Sequence, residues 1–433
     1  MTRMKESGID WIGQIPEEWE VKGIKHIFEE IGSGTTPKSD NETFYDGDIN
    51  WIQSGDLYQT DEVIKVSKTI TYQGFQSTSA LKIYQQPFIA LAMYGASVGN
   101  VAISCIDACV NQAVVVMLGT SEKVRFGKYA IEASKNNLIF SAQGGTQPNI
   151  SQNLIKNWNI PQPDSSEQTK IADFLDKKTA QLDKVKALLE EQIQKLKDYR
   201  ASLIYETVTK GLDKTVPMKD SGIDWIGQVP QGWGVSRLKY LANKIGSGKT
   251  PLGGSEIFEE TGILFIRSQN IYNGLILLED KATYINRNIH QQMIGTCVKK
   301  NDILLNITGA SIGRVAKYDL DIEANVNQHV CIIRSNRYVL PDYLMYFIMS
   351  EFGQFMIKTH QISGNREGLS FENIGNFKII APGLDYQYEI SQYLNKKMLT
   401  INQMIKTKEQ QIANINKQRQ TLIYDYVTGK KRV

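Results

Sequence analysis

The stretch SGIDWIGQIP (residues 7–16) occurs a second time, with one exchange, as SGIDWIGQVP (residues 221–230). The first copy begins at Ser7 and the second at Ser221, in a chain of 433 residues. Copies so far apart indicate duplicated domains, because the repeating units of solenoid proteins are far shorter. The stretch therefore predicts two related domains, each long enough to bury a core of its own.

Other motifs return in the same order at nearly the same distance. IGSGTTP (residues 31–37) returns as IGSGKTP (residues 245–251), and GASVGNVA (residues 95–102) returns as GASIGRVA (residues 309–316). Slightly larger shifts relate VNQAV (residues 110–114) to VNQHV (residues 326–330), and IADFLDKK (residues 171–178) to ISQYLNKK (residues 390–397). The duplication therefore extends over the whole chain, with a few residues inserted in the second copy.

The run GSGKT in the second copy is similar to the end of a phosphate-binding P-loop. That motif needs a glycine where this chain has Asn243, and the first copy has Thr35 in place of Lys249. Pro251 then follows, whereas a P-loop opens into a helix whose N–H groups hold phosphate. We interpret the run as a glycine turn that both domains share.

The composition is that of an ordinary globular protein, with 41% hydrophobic and 22% charged residues. The net charge of +3 neither requires nor excludes a nucleic acid as partner. The sequence has no apolar run of membrane-spanning length and no signal-peptide core, so we expect a cytoplasmic protein without a membrane partner. Four cysteines without a C-x-x-C pair, and only four histidines, favour reduced thiols over a zinc site.

Each copy ends in a segment that predicts one long helix. The first, from Ser165 to about Lys210, contains no proline or glycine, and leucines recur every seven residues from Leu175 to Leu203. The other seam position of this helix is expected at Ile171, Lys178, Val185, Gln192 and Tyr199. The second helix, from Tyr386 to about Thr428, has an expected seam of Ile390, Leu394, Ile401, Met404, Ile415 and Leu422, with Ile405 and Ile412 beside it.

An apolar stripe on a long helix must be buried, and two such helices most simply pack on each other as an antiparallel pair. Glutamines 192, 411 and 418 in the seam would then set the register. The alternative is that each helix pairs with another chain. Because positive and negative charges are mixed along the first helix, a basic leucine zipper is excluded.

The parts between these helices, about residues 21–163 and 235–384, predict mixed α/β or α+β domains. Short β-type runs such as DINWIQ (residues 48–53), ILFIRS (residues 263–268) and AVVVML (residues 113–118) alternate with glycine and asparagine turns. Residues 341–358 predict a buried helix, with residues 127–142 as its counterpart in the first copy.

The sequence contains little that could carry out catalysis. It has no base-methylation motif, no H-E-x-x-H and no G-x-S-x-G, and no histidine is repeated at an aligned position. What differs between the copies is the loop chemistry: Asn100 becomes Arg314 and Ala113 becomes His329. Because amide side chains pair with adenine and arginine pairs with guanine, two readers of different DNA sequences would need such a shared scaffold with different loops.

Together these motifs resemble the specificity (S) subunit of type I restriction-modification systems, over essentially the whole chain. The resemblance implies an α+β, pseudo-twofold symmetric fold in which two homologous target-recognition domains are separated by two long helices that form an antiparallel coiled coil. The expected boundaries are residues 1–163 for the first domain, 164–210 for the first helix, 211–234 for a connector, 235–384 for the second domain, and 385–433 for the second helix and tail. Since residues 207–211 resemble residues 426–430, we also expect the chain ends to lie near each other.

The resemblance also implies the function and the partners. Each domain would read one half of a split, asymmetric site in double-stranded DNA. Two modification subunits would bind S-adenosylmethionine and methylate adenine, and two restriction or motor subunits would use ATP and Mg²⁺. This chain itself would bind no cofactor or metal and would catalyse no reaction. The alternative is a coiled-coil adaptor without intrinsic DNA specificity.

We expect the DNA contacts to come from polar side chains in the repeated loops and their neighbours. These residues are Thr36, Lys38, Ser97, Gln112, Gln147, Lys249, Gln269, Asn270, Arg314, Gln328 and Arg366.

Overall fold

A computed structural model describes residues 3–142, 148–251, 253–279, 281–361 and 368–433. The chain divides into two compact units. Unit 1 comprises Met1–Leu189 together with Glu409–Val433, and unit 2 is Glu190–Lys408. Each unit therefore contains one copy of the repeated domain and one half of each long helix.

Unit 1 contains short strands and helices that lead into the first long helix. Its strands are β1 (Met4–Glu6), β2 (Gln14–Pro16), β3 (Glu20–Gly23), β4 (Glu30–Ser33), β5 (Tyr45–Ile52), β6 (Glu62–Val63), β7 (Thr69–Ile70), β8 (Phe88–Ala92), β9 (Val101–Ser104), β10 (Cys109–Val110), β11 (Val114–Leu118) and β12 (Asn159–Gln162). Its helices are α1 (Tyr72–Gln76), α2 (Ser121–Ser141), α3 (Gln152–Asn157) and the first part of α4 (Ser165–Lys210).

Unit 2 repeats most of this order, with two additional short strands and with two helices in place of α2. Its strands are β13 (Met218–Asp220), β14 (Gln228–Pro230), β15 (Gly234–Arg237), β16 (Ala242–Ser247), β17 (Ile263–Ile266), β18 (Ile271–Tyr272), β19 (Leu275–Ile276), β20 (Tyr284–Ile285), β21 (Cys297–Val298), β22 (Ile303–Asn306), β23 (Val315–Lys317), β24 (Ala324–Val326), β25 (Val330–Ser335) and β26 (Lys378–Ala381). Its helices are α5 (Arg287–Gln292), α6 (Pro341–Met349), α7 (Glu351–Thr359), α8 (Phe371–Gly375) and α9 (Leu384–Val427), of which α9 continues into unit 1.

The same main sheet is present in both units. Its order is β4-β11-β8-β9-β6 in unit 1 and β16-β25-β22-β23 in unit 2, and the first four strands are antiparallel to their neighbours in both. A second, smaller sheet joins β5 to β10 in parallel in unit 1, and β17 to β24 in parallel in unit 2. The equal topology confirms that the repeated sequence encodes a repeated α+β fold.

Alternating side chains bury both faces of the main sheet of unit 1. Ile89 and Leu91 point to a core that includes the N-terminal segment, α2 and both long helices. Ala90 and Ala92 point to a second core beneath the smaller sheet. A strand buried on both faces has an almost continuous apolar sequence, as FIALA in β8 does.

The buried helix predicted for residues 341–358 is two helices instead of one. α6 ends before Ser350, whose hydroxyl accepts a hydrogen bond from the N–H of Gly353 and so caps α7. Its counterpart α2 runs without a break. The sequence pattern missed the break because the apolar residues continue across it.

In each unit the two long helices lie antiparallel. In unit 2, Gln192 accepts a hydrogen bond from Lys408, and Arg200 donates one to Asn402. Partners on α9 therefore have lower residue numbers as the numbers on α4 increase, which is the pattern of antiparallel helices. In unit 1, the ring of Phe174 packs 4.4 Å from that of Tyr426. The expected pairing of the two helices within this chain is confirmed inside each unit.

The predicted seam was only partly right. The leucine row is buried or half-buried, but Lys178, Val185, Gln192 and Tyr199 are exposed, and so is Met404. The second row lies four residues after each leucine, where it holds Thr179, Lys186, Ile193, Arg200 and Thr207. Gln411 and Gln418 are exposed as well, so the polar residues of the seam include Arg200 and Arg419 but not the predicted glutamines.

A cluster of charged side chains ties the domain of unit 1 to α9. Nη2 of Arg419 lies 2.8 Å from Oδ2 of Asp61, Nη1 donates to Glu132, and Nε lies 3.7 Å from Oδ1 of Asp183. Lys128, with a side chain only 2% exposed, pairs with both Asp61 and Glu132. Burial opposes the charge on Arg419, but the surrounding carboxylates outweigh it and raise the pKa of the guanidinium.

Asp61 makes the stability of unit 1 depend on acid pH. Burial alone would raise the pKa of Asp61, but Lys128 and Arg419 outweigh it and hold the pKa below its usual value. The stabilisation is therefore complete above about pH 4 and is lost as the pH falls through the folded-state pKa. We expect the free energy of unfolding of the wild type to fall more steeply below about pH 4 than that of Asp61→Asn.

Urea unfolding at a series of pH values, followed by tryptophan fluorescence, measures this difference. The pKa of Asp183 is raised, chiefly by burial, so Asp183 contributes with the opposite sign. Because both proteins keep Asp183, the comparison reports mainly on Asp61. Parallel pH profiles for the two proteins would contradict the assignment.

The two ends of the chain lie close together in unit 1. Arg432 pairs with Glu18 and Glu167, and the hydroxyl of Tyr424 donates to the carbonyl oxygen of Ile12 at 3.3 Å. The expectation that the termini are neighbours is therefore confirmed.

Candidate nucleic-acid interface

The repeated motifs meet at one end of the main sheet. At this end of the sheet β4 ends and β11 begins, since Ser33 pairs with Val115. Strand β8 ends there too, with Ala92 opposite Val114. The loops at this end of the sheet are residues 34–38, 93–100 and 111–113 in unit 1, and residues 248–251, 307–314 and 327–329 in unit 2. We call each set the strand-end surface of its unit.

The glycine turn is required by close packing of backbone on backbone. A Cβ atom on Gly34 would lie 1.7 Å from the carbonyl oxygen of Val110, and one on Gly248 would lie 1.7 Å from that of Val326. Since no Cβ atom tolerates such a contact, only glycine fits. The turn thus joins the GSG and VNQ motifs, which confirms the prediction of a shared glycine turn.

The GASVGN and GASIGR loops have the same backbone in both units. Gly95 and Gly99 have φ values of +84° and +75°, and Gly309 and Gly313 have values of +72° and +86°. In each loop the N–H of the second glycine donates back to the end of the preceding strand, at 2.8 Å in unit 1 and 3.0 Å in unit 2. The two glycines therefore fix a loop of identical shape on which other side chains vary.

Several predicted contact residues are exposed on the strand-end surfaces. Thr36 donates a hydrogen bond to Oε1 of Gln112 at 2.6 Å, and the amide nitrogen of this exposed glutamine carries two N–H donors. Exposed side chains are those of Lys38, Gln112, Lys249, Arg314 and Gln328, and Gln269 is exposed in the neighbouring turn. None of the loop segments that form the two surfaces contains an aspartate or glutamate, so they would not repel phosphate.

Two predicted contact residues are turned inward. Asn270 is 1% exposed, and its amide donates to the carbonyl oxygens of Leu277 and Lys281 while accepting from the N–H of Arg267. Ser97 is 6% exposed. The amide of Asn270 holds its loop in shape, and neither of these buried side chains presents its polar groups to a duplex. Gln147 and Arg366 lie outside the described residues.

Sequence reasoning missed two pairs of residues that border the strand-end surfaces. Gln53 directly follows β5, and Arg267 directly follows β17. Both lie next to the VNQ motif of their unit: in unit 2, for example, the N–H of Asn327 donates to the carbonyl oxygen of Ile266. Tyr58 and Tyr272 are 59% and 44% exposed beside the GAS loops. The alignment that places the two SGIDWIGQ stretches opposite each other also places Gln53 opposite Arg267 and Tyr58 opposite Tyr272. This alignment is the sequence signal from which the two pairs could have been found.

Metal-binding clusters and membrane-spanning helices are both absent from the described part of the chain. Within it, no group of three or more His, Cys, Asp or Glu side chains is arranged to hold a metal ion. In the same residues, no helix is long and apolar enough to cross a bilayer.

Two glycine-built surfaces on repeated α+β domains define a protein with two DNA specificity domains, as the comparison with known families shows. The sequence model of the type I restriction modification DNA specificity domain matches residues 16–197 and 230–414. The chain belongs to the family of type I restriction-modification specificity subunits, which are non-catalytic. The resemblance inferred from the motifs is confirmed.

Relatives of similar length support this assignment. The MjaIX specificity subunit of Methanocaldococcus jannaschii is 24% identical over 449 residues, which cover 100% of this chain and 97% of the relative. The EcoBI specificity subunit of Escherichia coli is 26% identical over 388 residues, which cover 86% of this chain and 79% of the relative.

A solved structure shares the fold. A chain from a study of complex assembly and conformational transition of the type I R-M system superposes with a TM-score of 0.68 at 14% identity. The superposition covers 96% of this chain and 99% of the other.

Proposed function

We propose that this chain reads a split, asymmetric DNA site, with unit 1 on one half and unit 2 on the other. The observation that carries the proposal is the pair of strand-end surfaces, which share backbone geometry and differ in side chains. Equal geometry lets both units approach a duplex in the same way, and different side chains let each unit read a different sequence.

Particular side chains have particular roles in this proposal. Gln112 and Gln328 occupy equivalent exposed positions and carry amides suited to adenine. Arg314 is suited to guanine, and Lys38 and Lys249 to phosphate. Thr36 orients Gln112 through their hydrogen bond. Gln269 is a further candidate, and Gln147 and Arg366 remain predictions from the sequence.

The reactions belong to partner subunits in this proposal. Double-stranded DNA, two modification subunits and two restriction or motor subunits would be the partners, with S-adenosylmethionine, ATP and Mg²⁺ bound by those subunits. Support comes from the sequence, which lacks the motifs of methylation and ATP hydrolysis, and from the non-catalytic family to which the chain belongs.

Two glutamine variants test the division of labour between the units. We expect Gln328→Ala to relax the sequence requirement in one half of the site and Gln112→Ala to relax it in the other. Loss of a bidentate amide contact should reduce discrimination by about 1–3 kcal/mol at one base pair. Sequencing of methylated adenines in cells that carry the full system measures both halves at once.

Each variant is the control for the other. If both variants changed the same half of the site, the assignment of one half to each unit would be wrong. The adaptor alternative makes a different prediction. The purified chain would then bind no DNA duplex in a sequence-specific way in a gel-shift assay, with or without the modification subunit.

A further inference from the structure

We infer that unit 2 reads guanine through two arginines, Arg267 and Arg314, whereas unit 1 presents amides, Gln53 and Asn100, at the equivalent positions. This inference rests on the proposed function and assigns a base class to each half of the site. Both exchanges follow from the single alignment that places Ser7 opposite Ser221. Two independent positions therefore change from amide to guanidinium in the same direction.

The two arginines come from different loops at the strand-end surface of unit 2. Arg267 follows β17, and the next residue, Ser268, accepts a hydrogen bond at 2.8 Å from the amide of Asn306, at the end of β22. Arg314 ends the GASIGR loop and is exposed.

An aromatic ring orients each guanidinium. The Cζ atom of Arg314 lies 4.8 Å from the ring centroid of Tyr272, and that of Arg267 lies 5.3 Å from the ring centroid of Phe258. Stacking on a ring fixes the plane of the guanidinium, and the edge of the exposed Arg314 can donate two parallel hydrogen bonds. Such a fork matches O6 and N7 of guanine.

Arg267 also has donor capacity that the described residues do not use. Its Nη2 donates to Oγ1 of Thr283 at 2.7 Å, which anchors one end of the group. Its Nε is buried without a hydrogen-bond partner in the described part of the chain. Because an Nε atom without solvent access cannot meet a base directly, a base contact from Arg267 would use the remaining N–H groups of its Nη atoms.

The aromatic residues are present in both units, but the arginines are present in one. Phe44 and Tyr58 stand in unit 1 where Phe258 and Tyr272 stand in unit 2. Asn100 accepts a hydrogen bond from Lys135 at 2.6 Å, which holds its amide in place. The scaffold for orienting a side chain is thus shared, and the side chain that it orients sets the base.

Left-handed backbone follows the tyrosine in each unit. Gln59 and Asn273, the residues that follow Tyr58 and Tyr272, have φ values of +55° and +49°. In unit 2 this is the Asn-Gly turn between β18 and β19, a turn in which asparagine commonly adopts this conformation. Tyr272 lies directly before that turn and, because Arg314 stacks on its ring, is a positioning residue that acts through Arg314.

The test is selection of duplexes from a randomised library by the purified full-length chain, alone and with the modification subunit. We expect the wild type to enrich a split sequence with guanine in one half. Arg267→Gln and Arg314→Asn, which install the residues of unit 1, should each lower the preference for one guanine about tenfold or more and leave the other half unchanged. Arg337→Gln is the matched control, because Arg337 stacks 5.0 Å from the ring of Tyr338 beyond the opposite end of β25.

Tyr272 provides the second arm of the test. Tyr272→Phe keeps the ring and should retain the guanine preference, whereas Tyr272→Leu should lose part of it with an unchanged melting temperature. If both arginine variants enriched the wild-type sequence as strongly as the wild type, the inference would be overturned. If the wild type enriched no duplex in either condition, the proposed function would fail, and the inference with it.

Discussion

Replacing Arg419 by methionine is expected to lower the free energy of unfolding of unit 1 by about 2–4 kcal/mol. The side chain of Arg419 is 15% exposed and compensates the carboxylates of Asp61, Glu132 and Asp183. Methionine retains the apolar stem but leaves Asp61 and Glu132 with Lys128 as their remaining partner in the cluster, and it removes the guanidinium beside Asp183. Because Asp61 and Asp183 are 43% and 47% exposed, water offsets part of the loss.

Arg200 is the matched control for this substitution. It stands at the position of Arg419 in the repeat, counted from the match of Ile171 with Ile390, but hydrogen-bonds the neutral amide of Asn402 at 3.1 Å. Burial lowers the pKa of Arg200, the opposite of the shift at Arg419. Arg200→Met should therefore cost only about 1 kcal/mol.

Urea unfolding combined with hydrogen exchange separates the stabilities of the two units. The double variant Arg419→Met with Asp61→Asn restores the net charge of the cluster and should be more stable than Arg419→Met alone. Equal losses for Arg419→Met and Arg200→Met, or a further loss in the double variant, would show that the cluster contributes little.

The second large effect is expected for Gly248→Ala. Its Cβ atom would lie 1.7 Å from the carbonyl oxygen of Val326 and 2.4 Å from the carbonyl carbon, so the turn must move away from the VNQ motif. Overpacking against backbone costs about 1–3 kcal/mol or more, and here it also displaces Lys249 and Gln328. We expect unit 2 to lose about 2–3 kcal/mol of stability and the chain to lose recognition of one half-site.

Gly246 lies two residues earlier and serves as the control. A Cβ atom on Gly246 would meet no atom within 4 Å, so Gly246→Ala should change stability by no more than about 0.5 kcal/mol. Thermal unfolding measures the loss of stability, and selection of duplexes from a randomised library measures the loss of half-site recognition. If Gly248→Ala matched Gly246→Ala in both, the glycine turn would not support the surface as described.

The fold could be predicted because the repeated motifs run in the same order through both halves of the chain, which indicates two copies of one domain. The seam of the long helices was harder to predict, because apolar character does not decide which side of a leucine row is buried. Val185 and Tyr199 are apolar and exposed, whereas Arg200 is charged and half-buried. A charged residue enters the seam when a partner such as Asn402 is available across it, and that partner lies far away in the sequence.

The same reason limits prediction of the candidate site. The loops could be located because their glycines recur, but a sequence does not show which way a turn directs its side chains. Asn270 lies one residue from the exposed Gln269, yet its amide is consumed by the backbone of its own loop. Arg267 was missed because the run ILFIRS that contains it was interpreted only as a strand, and its stacking partner Phe258 lies nine residues earlier.

The division of the long helices between the units has a consequence for biosynthesis. Unit 2 is one continuous stretch, residues 190–408, whereas unit 1 is completed only by residues 409–433. On the ribosome, unit 2 can fold while the nascent unit 1 still exposes the apolar surface that Ile423 and Val427 later cover. Translation that stops before residue 409 would thus leave an intact second half attached to an aggregation-prone first half.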